Sequence, residues 1–590
     1  MKKVALLLFA PIFLGAFQTN DEWKDKVAPE LLARAEAGET VELIVLLREQ
    51  ADVSAARLLT TKEARANYVW QTLQQTAGRT QAGLVAELSG KGVEFRSYYL
   101  INALWVRADL DVLRSIAQRP EVSRLQVNDP VEVEEPIEET PVTTRGPDAI
   151  EWGIERINAD DVWAMGYTGQ GVIVGGQDTG YEWDHPALKT QYRGWDGTAA
   201  DHNYNWHDAI HEINPLNNDS IVSPTNNPCG LDSAVPCDDS GHGTHTMGTM
   251  IGEDGDNQIG VAPGARWIAC RNMERGYGSP ATYIECFEWF LAPTDLNGQN
   301  PDPSKAPHVI NNSWSCPELE GCNPDNFAFM QTAVDNLKAS GVVVVVSAGN
   351  SGSQGCSSVS TPSAIFENSF TVGAVAQNDT IAGFSSRGPV LVDNSNRLKP
   401  NVTAPGVGVR SSVRNGGYAT TSGTSMAGPH VAGLVALIIS ANPELAGQVE
   451  LIEDIIEQSA VPKQTSQDCG SVTGMEIPNN TYGFGRVDAL AAVQQALALV
   501  DTDEPATGGP AVEVRPNPFE EKVTLSYRGL TGETKLEVFD LQGRLIHRVS
   551  IDALEVGSID ILTAAWPAGI YFYRLRAAGG GQLSGKLVRK

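Results

Sequence analysis

The twenty residues TSGTSMAGPHVAGLVALIIS, Thr421 to Ser440, constrain this chain more than any others. A tight turn at Ser422–Gly423 runs into a helix that carries Ser425 in its first turn and is almost wholly apolar beyond it. A helix that is apolar all round has no face to offer water, so the domain holding it must wrap it on every side. Ser425 then lies at the positive end of the helix dipole, among backbone N–H groups that favour developing negative charge. That position suits a nucleophile. It also suits a plain helix cap, the ordinary role of Ser or Thr there, and the stretch alone does not choose between them.

Two upstream stretches decide the matter by their conjunction. In TGQGVIVGGQDTGYEWDHPAL, 168–188, a short apolar strand over 172–174 is bounded by glycines, and Asp178 stands just past its C-terminal end. In an open α/β sheet that is where sites are built, although a lone Asp there can equally form an Asx-turn. In DDSGHGTHTMGTMIG, 238–252, His242 lies between two glycines and begins an apolar helical pattern. An unassisted serine hydroxyl is a poor nucleophile. An imidazole can take its proton, and a carboxylate can fix the imidazole tautomer and stabilise the imidazolium. Asp178, His242 and Ser425 supply the three types in the order Asp, His, Ser, each at a Gly-bounded junction. An α/β-hydrolase would instead show G-x-S-x-G with the histidine last. A fourth part is VVVVVSAGNSG, 342–352, whose valines make a fully buried strand with Asn350 following it.

Asp178-Thr179-Gly180, His242-Gly243-Thr244-His245 and Gly423-Thr424-Ser425-Met426-Ala427 resemble the three signatures of the subtilisin-like serine peptidases. The resemblance covers roughly 151–500 and extends to APG at 404–406, FSSRGP at 384–389 and YGFGRVDA at 482–489. PTDLNG at 293–298 and NNSW at 311–314 resemble the bacillopeptidase F-like group within that family. The resemblance implies an α/β fold with a doubly wound parallel sheet and peptide-bond hydrolysis through an acyl-enzyme on Ser425. It makes Asp178, His242 and Ser425 the triad, and the Asn350 amide an oxyanion donor beside the Ser425 N–H. It further implies substrate-binding walls at Ser313-Trp314-Ser315 and at Gly276 and Gly278, with an extended peptide added as a strand between them. Ser315 stands where the family often has Gly, and Cys316 follows, so P1 preference stays open. His245 and His430 read as packed structural histidines. No cofactor is required for such chemistry. Structural calcium is a family-level expectation, and the Asp-bearing loops at 217–219 and 254–256 lack the spacing of a defined calcium loop. Two rivals remain: a catalytically inactive surface-binding protein on the same scaffold, and an enzyme acting on small esters or amides.

At 590 residues the chain is too long for one ordinary core. Lys2 and Lys3, an apolar run over 4–16 and a polar exit form a secretory signal pattern, expected over 1–18. A module over 21–130 follows, with strands at 41–47, 100–106 and 122–127 and helices at 61–76 and 110–119. This α+β order resembles the inhibitor propeptide of the subtilases. The Glu-, Pro- and Thr-rich segment 131–147 is then an exposed linker and the expected maturation region. The peptidase domain is expected over 148–500 and a second linker over 501–510. The final module, 511–590, has no cysteine and carries 11 Lys and Arg against 9 Asp and Glu, in a chain of net charge −29. Its short alternating segments at 522–527, 534–539, 545–551 and 569–575 predict a small antiparallel β-sandwich. RPNPF, DLQGR, PAGIYFYRL and the terminal GKLVRK resemble the C-terminal sorting domain of type IX secretion substrates, a generic carbohydrate-binding or adhesive sandwich being the rival.

Strong negative charge argues against nucleic acid as a partner. The expected partners are protein or peptide substrates, the chain's own propeptide and the type IX secretion machinery, with the protein acting as a monomer, secreted or held at the outer-membrane surface. All eight cysteines fall between 229 and 469. In an exported chain an even count reads as disulfides, since no Cys-x-x-Cys or matching His spacing favours metal. Eight cysteines permit 105 connectivities; short spacing makes Cys229 with Cys237 and Cys316 with Cys322 the cheapest pairs and Cys270 with Cys286 the next, which would leave Cys356 with Cys469, and the sequence does not choose among them.

Overall fold

The computed structural model describes residues 22–129, 149–217, 227–314 and 327–499, two short strands within 131–139, and most of 511–589. The expected signal segment, the remainder of the 131–147 linker, Ser315, Cys316, Cys322 and the linker 501–510 lie outside the described residues.

The N-terminal module contains α1 (Pro29–Glu36), β1 (Val41–Leu47), α2 (Lys62–Lys91), β2 (Phe95–Tyr98), β3 (Ala103–Ala108), α3 (Leu110–Ala117) and β4 (Val122–Val127). Its antiparallel sheet has the order β2-β3-β1-β4. The second helix runs well past residue 76 because Gln81, Leu84 and Leu88 continue its buried face. Thr61 caps its start by accepting from the Ala64 N–H at 3.2 Å, and Gly92, at φ +66°, ends it in the left-handed conformation that glycine adopts without penalty. Two short strands follow, β5 (Val131–Glu132) and β6 (Glu138–Glu139).

The central domain runs through α4 (Trp152–Arg156), α5 (Ala159–Ala164), β7 (Ile173–Asp178), β8 (Trp206–Asp208), α6 (His242–Ile251), the hairpin β9 (Glu253–Asp254) and β10 (Asn257–Gln258), β11 (Arg266–Arg271), β12 (Tyr277–Gly278) and α7 (Pro280–Leu291). It continues with β13 (Val309–Asn312), α8 (Phe327–Ala339), β14 (Val343–Ser347), β15 (Phe370–Val375), β16 (Val402–Pro405), β17 (Val409–Val413), β18 (Gly417–Ser422), α9 (Thr424–Ala441), α10 (Val449–Ser459) and α11 (Ala489–Ala498). Seven parallel strands form the sheet β16-β15-β14-β13-β7-β11-β8.

The valine run shows why the sheet needs cover on both sides. Val343 and Val345 of β14 join the core built around α9, whereas Val342, Val344 and Val346 join the core under α7 and α8. Period-two alternation sends successive side chains to opposite faces, and both faces are apolar. Every residue of α9 is buried, as its composition demands. The core under α7 and α8 is shared with the N-terminal module, which contributes Ile44, Val69, Leu73, Leu100 and Trp105.

The C-terminal module is a β-sandwich of β19 (Ala511–Arg515), β20 (Lys522–Arg528), β21 (Gly532–Asp540), β22 (Leu545–Ala553), β23 (Val556–Leu562), β24 (Gly569–Ala577) and β25 (Gln582–Arg589). Its antiparallel sheets have the orders β19-β20-β23 and β22-β21-β24-β25. Val523, Leu525, Leu536, Val538 and Leu575 fill the space between them.

Among the described residues the disulfides are Cys229–Cys237, Cys270–Cys286 and Cys356–Cys469. The last closes a loop of sequence separation 113. Closing so long a loop removes considerable entropy from the unfolded chain. Replacing both Cys356 and Cys469 by Ser is therefore expected to cost about 2–4 kcal/mol of stability, read from denaturant unfolding under non-reducing conditions.

Candidate active site

Asp178 is the last residue of β7, at the carboxyl end of the sheet where the strand order turns back on itself. Its Oδ1 accepts from His242 Nδ1 at 2.7 Å and from the Thr179 N–H at 2.7 Å. The carboxylate and the imidazole are 1% and 3% exposed, so water does not compete for this contact. A carboxylate on Nδ1 leaves Nε2 as the atom through which the ring can exchange a proton.

The pair is held by a residue to which sequence reasoning gave no role. Asp238 is buried, and its Oδ1 accepts from Thr179 Oγ1 at 2.9 Å and the Gly241 N–H at 2.8 Å, while its Oδ2 accepts from the Thr244 N–H at 3.0 Å and Thr244 Oγ1 at 2.6 Å. One carboxylate thus satisfies orphan donors at the start of α6 and ties that helix to the residue after Asp178. The two segments approach so closely that a Cβ on Gly243 would lie 2.1 Å from the Gly180 carbonyl oxygen. Gly180 itself has φ +110°. The readable signal was an Asp-Asp pair just ahead of a Gly-flanked helix start, an acidic N-terminal pattern.

Ser425 lies in the first turn of α9, fully buried. Its carbonyl oxygen accepts from Ser313 Oγ at 3.2 Å, and Ser313 Oγ in turn accepts from Asn311 Nδ2 at 2.9 Å. Ser347 Oγ donates to the Thr424 carbonyl at 3.0 Å. Residues at the ends of β13 and β14 therefore fix the backbone of the serine from below. The α6 and α9 helices pack side by side, and His245, one turn into α6, meets Thr421 Oγ1 at 3.2 Å through Nε2. The segment before Ser425 is thereby tied to the helix of His242.

Asn350 lies just beyond β14. Its Oδ1 accepts from the Thr424 N–H and from Thr424 Oγ1, both at 2.9 Å, which fixes which end of the amide faces α9. A Cβ on Gly423 would stand 3.6 Å from Asn350 Nδ2 and 3.7 Å from the Ser425 N. Both nitrogens thus border one small space that the absence of a side chain at residue 423 keeps open. Two N–H donors at one point, at the start of a helix, can stabilise an oxyanion.

Trp314 is buried and stacks on Tyr283 with ring centroids 3.8 Å apart, so its side chain belongs to the α7–α8 core. Ser313 braces the Ser425 carbonyl, and Ser315 lies outside the described residues. Gly276, at φ +90°, forms a tight turn ahead of β12, and Gly278 pairs across an antiparallel ladder with Val131. Among the described residues no group of three or more His, Cys, Asp or Glu side chains is placed to hold a metal ion. In the 254–256 loop, Asp254 Oδ2 accepts from Tyr418 Oη at 3.2 Å. Nearby, Asn257 Oδ1 accepts from Arg410 Nη1 at 2.9 Å. The other acidic loop is described only as far as Asn217.

Fold and site together define an α/β domain with an Asp–His pair and a helix-borne serine at the carboxyl edge of a parallel sheet. Residues 169–485 match the subtilase family and residues 513–590 match a secretion system C-terminal sorting domain. The chain belongs to the subtilase family. It is 34% identical to bacillopeptidase F of Bacillus subtilis (strain 168) over 546 residues, which cover 88% of this chain and 34% of that protein. It thus spans about a third of the length of that relative. It is 29% identical to subtilisin E of the same strain over 375 residues, covering 63% of this chain and 79% of subtilisin E. It is also 32% identical to an alkaline protease of Shouchella clausii over 360 residues, 61% of this chain and 73% of that protein. The sorting domain makes the protein one that is secreted or attached at the cell surface.

Burial holds His245 at about 3, with the neighbouring His242 adding to the effect, and burial holds His430 at about 4. Both are neutral in the folded protein at pH 7, and His430 Nδ1 contacts the Met426 carbonyl at 2.8 Å. Below an ordinary value of 6.5 the unfolded chain takes up protons that these rings refuse, so their contribution makes stability fall as pH drops from 6.5 toward 4. Melting temperatures measured between pH 7 and 5, in a Ser425→Ala background to prevent autolysis, are expected to fall less steeply for His430→Gln than for its parent.

Proposed function

We propose that the protein is a secreted serine endopeptidase, made as an autoinhibited precursor, with Asp178, His242 and Ser425 as its triad and Asn350 as oxyanion donor. The observation that carries this reading is the convergence of Asn350 Nδ2 and the Ser425 N–H beside Gly423, with the Asp178–His242 hydrogen bond of 2.7 Å behind it. His242 takes the Ser425 hydroxyl proton as Oγ adds to the peptide carbonyl carbon, and the oxygen that becomes negative is received by the two N–H donors. Collapse of the tetrahedral species breaks the C–N bond, the imidazolium gives its proton to the departing amine, and an ester on Ser425 remains. Water, deprotonated by His242, repeats the sequence and frees the acid. No cofactor enters these steps. A structural calcium ion remains part of the proposal, for stability only.

The N-terminal module is read as the inhibitory propeptide. In support, it shares a core with α7 and α8, its Leu100 N–H donates to Glu288 Oε2 at 2.8 Å, and its Lys62 Nζ donates to the Ala306 carbonyl at 2.8 Å. In further support, β5 pairs antiparallel with β12, and β6 pairs antiparallel with Thr421 and Ser422 of β18, close before Ser425. The maturation cut is therefore proposed to fall between Glu132 and Glu138. Added-strand binding of this kind holds a peptide by its main chain and suits broad endopeptidase action. The type IX machinery is the proposed export partner and the monomer the proposed working form.

Intact mass followed over time tests the reading. Wild type is expected to lose its N-terminal module with a new N-terminus between residues 133 and 138, whereas Ser425→Ala stays full length; processing of both alike would sink it. Asn350→Ala is expected to lower kcat by about 10²–10³-fold, a magnitude carried over from subtilisin itself, with little change in KM.

A further inference from the structure

Asp239, four residues ahead of Gly243, gathers three arginines. Its side chain is fully buried. Oδ2 accepts from Arg271 Nη2 at 2.5 Å, Oδ1 accepts from the Arg275 N–H at 2.9 Å, and the Asp239 carbonyl oxygen accepts from Arg414 Nη1 at 2.6 Å. Arg271 is consumed in the core, where it also meets Asp208 at 3.2 Å. Arg275, its side chain 16% exposed, and Arg414 are partly buried, and they come from two different segments, ahead of β12 and after β17.

Arg275 sits at the tip of a two-residue turn closed by Glu274 N–H to the Tyr277 carbonyl at 2.7 Å and the reverse bond at 3.1 Å. Its φ is +51° and that of Gly276 is +90°, the conformation for which Asn and Gly are preferred. An arginine there is a costly choice for the fold, which points to use of its side chain. The turn leads directly into β12, where Tyr277 pairs with Glu132 and Gly278 with Val131. Arg414 follows β17, and its stem lies against the helix start of His242: a Cβ on Gly241 would be 3.6 Å from Arg414 Cγ. The β17 strand pairs with β18, which pairs with Glu138 and Glu139.

The short strands paired with β12 and β18 belong to the sequence VEVEEPIEE, 131–139, which has five glutamates and no lysine or arginine. In a protein of net charge −29 such a segment is repelled by most of the surface, so local cations decide whether it is welcome. We propose that Arg414 and Arg275 form a cationic rim beside His242 that selects substrates with acidic residues flanking the scissile bond, the segment 131–139 being the first of them. This rests on the peptidase reading above and names its substrate class. Arg275 Nε is already shared with Glu274 at 2.6 Å, so Arg414 carries the larger part.

The test uses mature enzyme and quenched fluorogenic decapeptides of sequence 131–140, as the native glutamate form, an all-glutamine form and an all-lysine form, with casein alongside. For wild type, kcat/KM is expected to be roughly fivefold to tenfold higher for the glutamate peptide than for the glutamine peptide, the scale of one or two half-exposed ion pairs. The ratio is expected to shrink toward one as salt is raised and in Arg414→Gln, less so in Arg275→Gln. Arg414→Glu is expected to move the preference to the lysine peptide, a gain that misfolding cannot produce. Casein clearance with equal rates on glutamate and glutamine peptides, or a preference that survives the double Arg275→Gln and Arg414→Gln change, overturns the rim and leaves the peptidase standing. Failure to cut casein and all three peptides overturns both.

Discussion

The fully buried helix α9 is the constraint on which the rest of the structure depends. Eighteen residues from Thr424 to Ala441 are all withdrawn from water. An apolar cylinder of this kind is stable only when neighbours cover it throughout, and here the β13–β16 part of the sheet lies on one side with α6 and α11 on others. Its N-terminus cannot shift without disturbing that whole contact surface. Ser425 is therefore carried at a fixed point relative to the strand ends, which is what positioning chemistry requires.

Aspartates 238 and 239 turn that fixed point into a site. The first joins the end of β7 to the start of α6, so the carboxylate of Asp178 and the imidazole of His242 meet at hydrogen-bond distance without water between them. The second draws in the segments that carry Arg275 and Arg414. Adjacent residues thus set the Asp178–His242 pair on one side and the proposed cationic rim on the other. The opposite face of the sheet, under α7 and α8, is finished by the N-terminal module, whose Trp105, Leu100 and Ile44 complete a core that the central domain begins. Loss of that module exposes apolar surface, and on the proposed reading this is the change that accompanies activation.

Much of this was legible because the informative residues sit at junctions. Asp178, His242 and Ser425 each follow or precede glycines where the hydrophobic period changes, and short spacing pointed to Cys229–Cys237 and Cys270–Cys286, both of which are present. The valine run announced a strand buried on both faces, and β14 is one. What was not legible depends on contacts distant in sequence. The resemblance places Trp314 in a substrate wall, and only the structure shows that its side chain stacks on Tyr283 in the core. The resemblance places Ser313 in the same wall, and its hydroxyl also meets the Ser425 carbonyl 112 positions away, a contact no local pattern reveals. The second helix ran past its expected end because Leu84 and Leu88 face a core that local propensity cannot reveal. In the sandwich, β19, β23 and β25 were not read from the sequence, and β23 nonetheless alternates buried Val556, Ile559 and Ile561 with exposed neighbours.

The most direct measurement is the site of labelling by a fluorophosphonate, which reacts only with a serine that a neighbouring base and an oxyanion pocket have activated. Mature protein would be treated with the probe, digested and mapped by mass spectrometry. A single adduct on Ser425, absent when Asp178 is changed to Asn, is the predicted result. An adduct on another serine, or none on protein whose N-terminal module has been removed, would contradict the assignment of this helix start as the reacting centre.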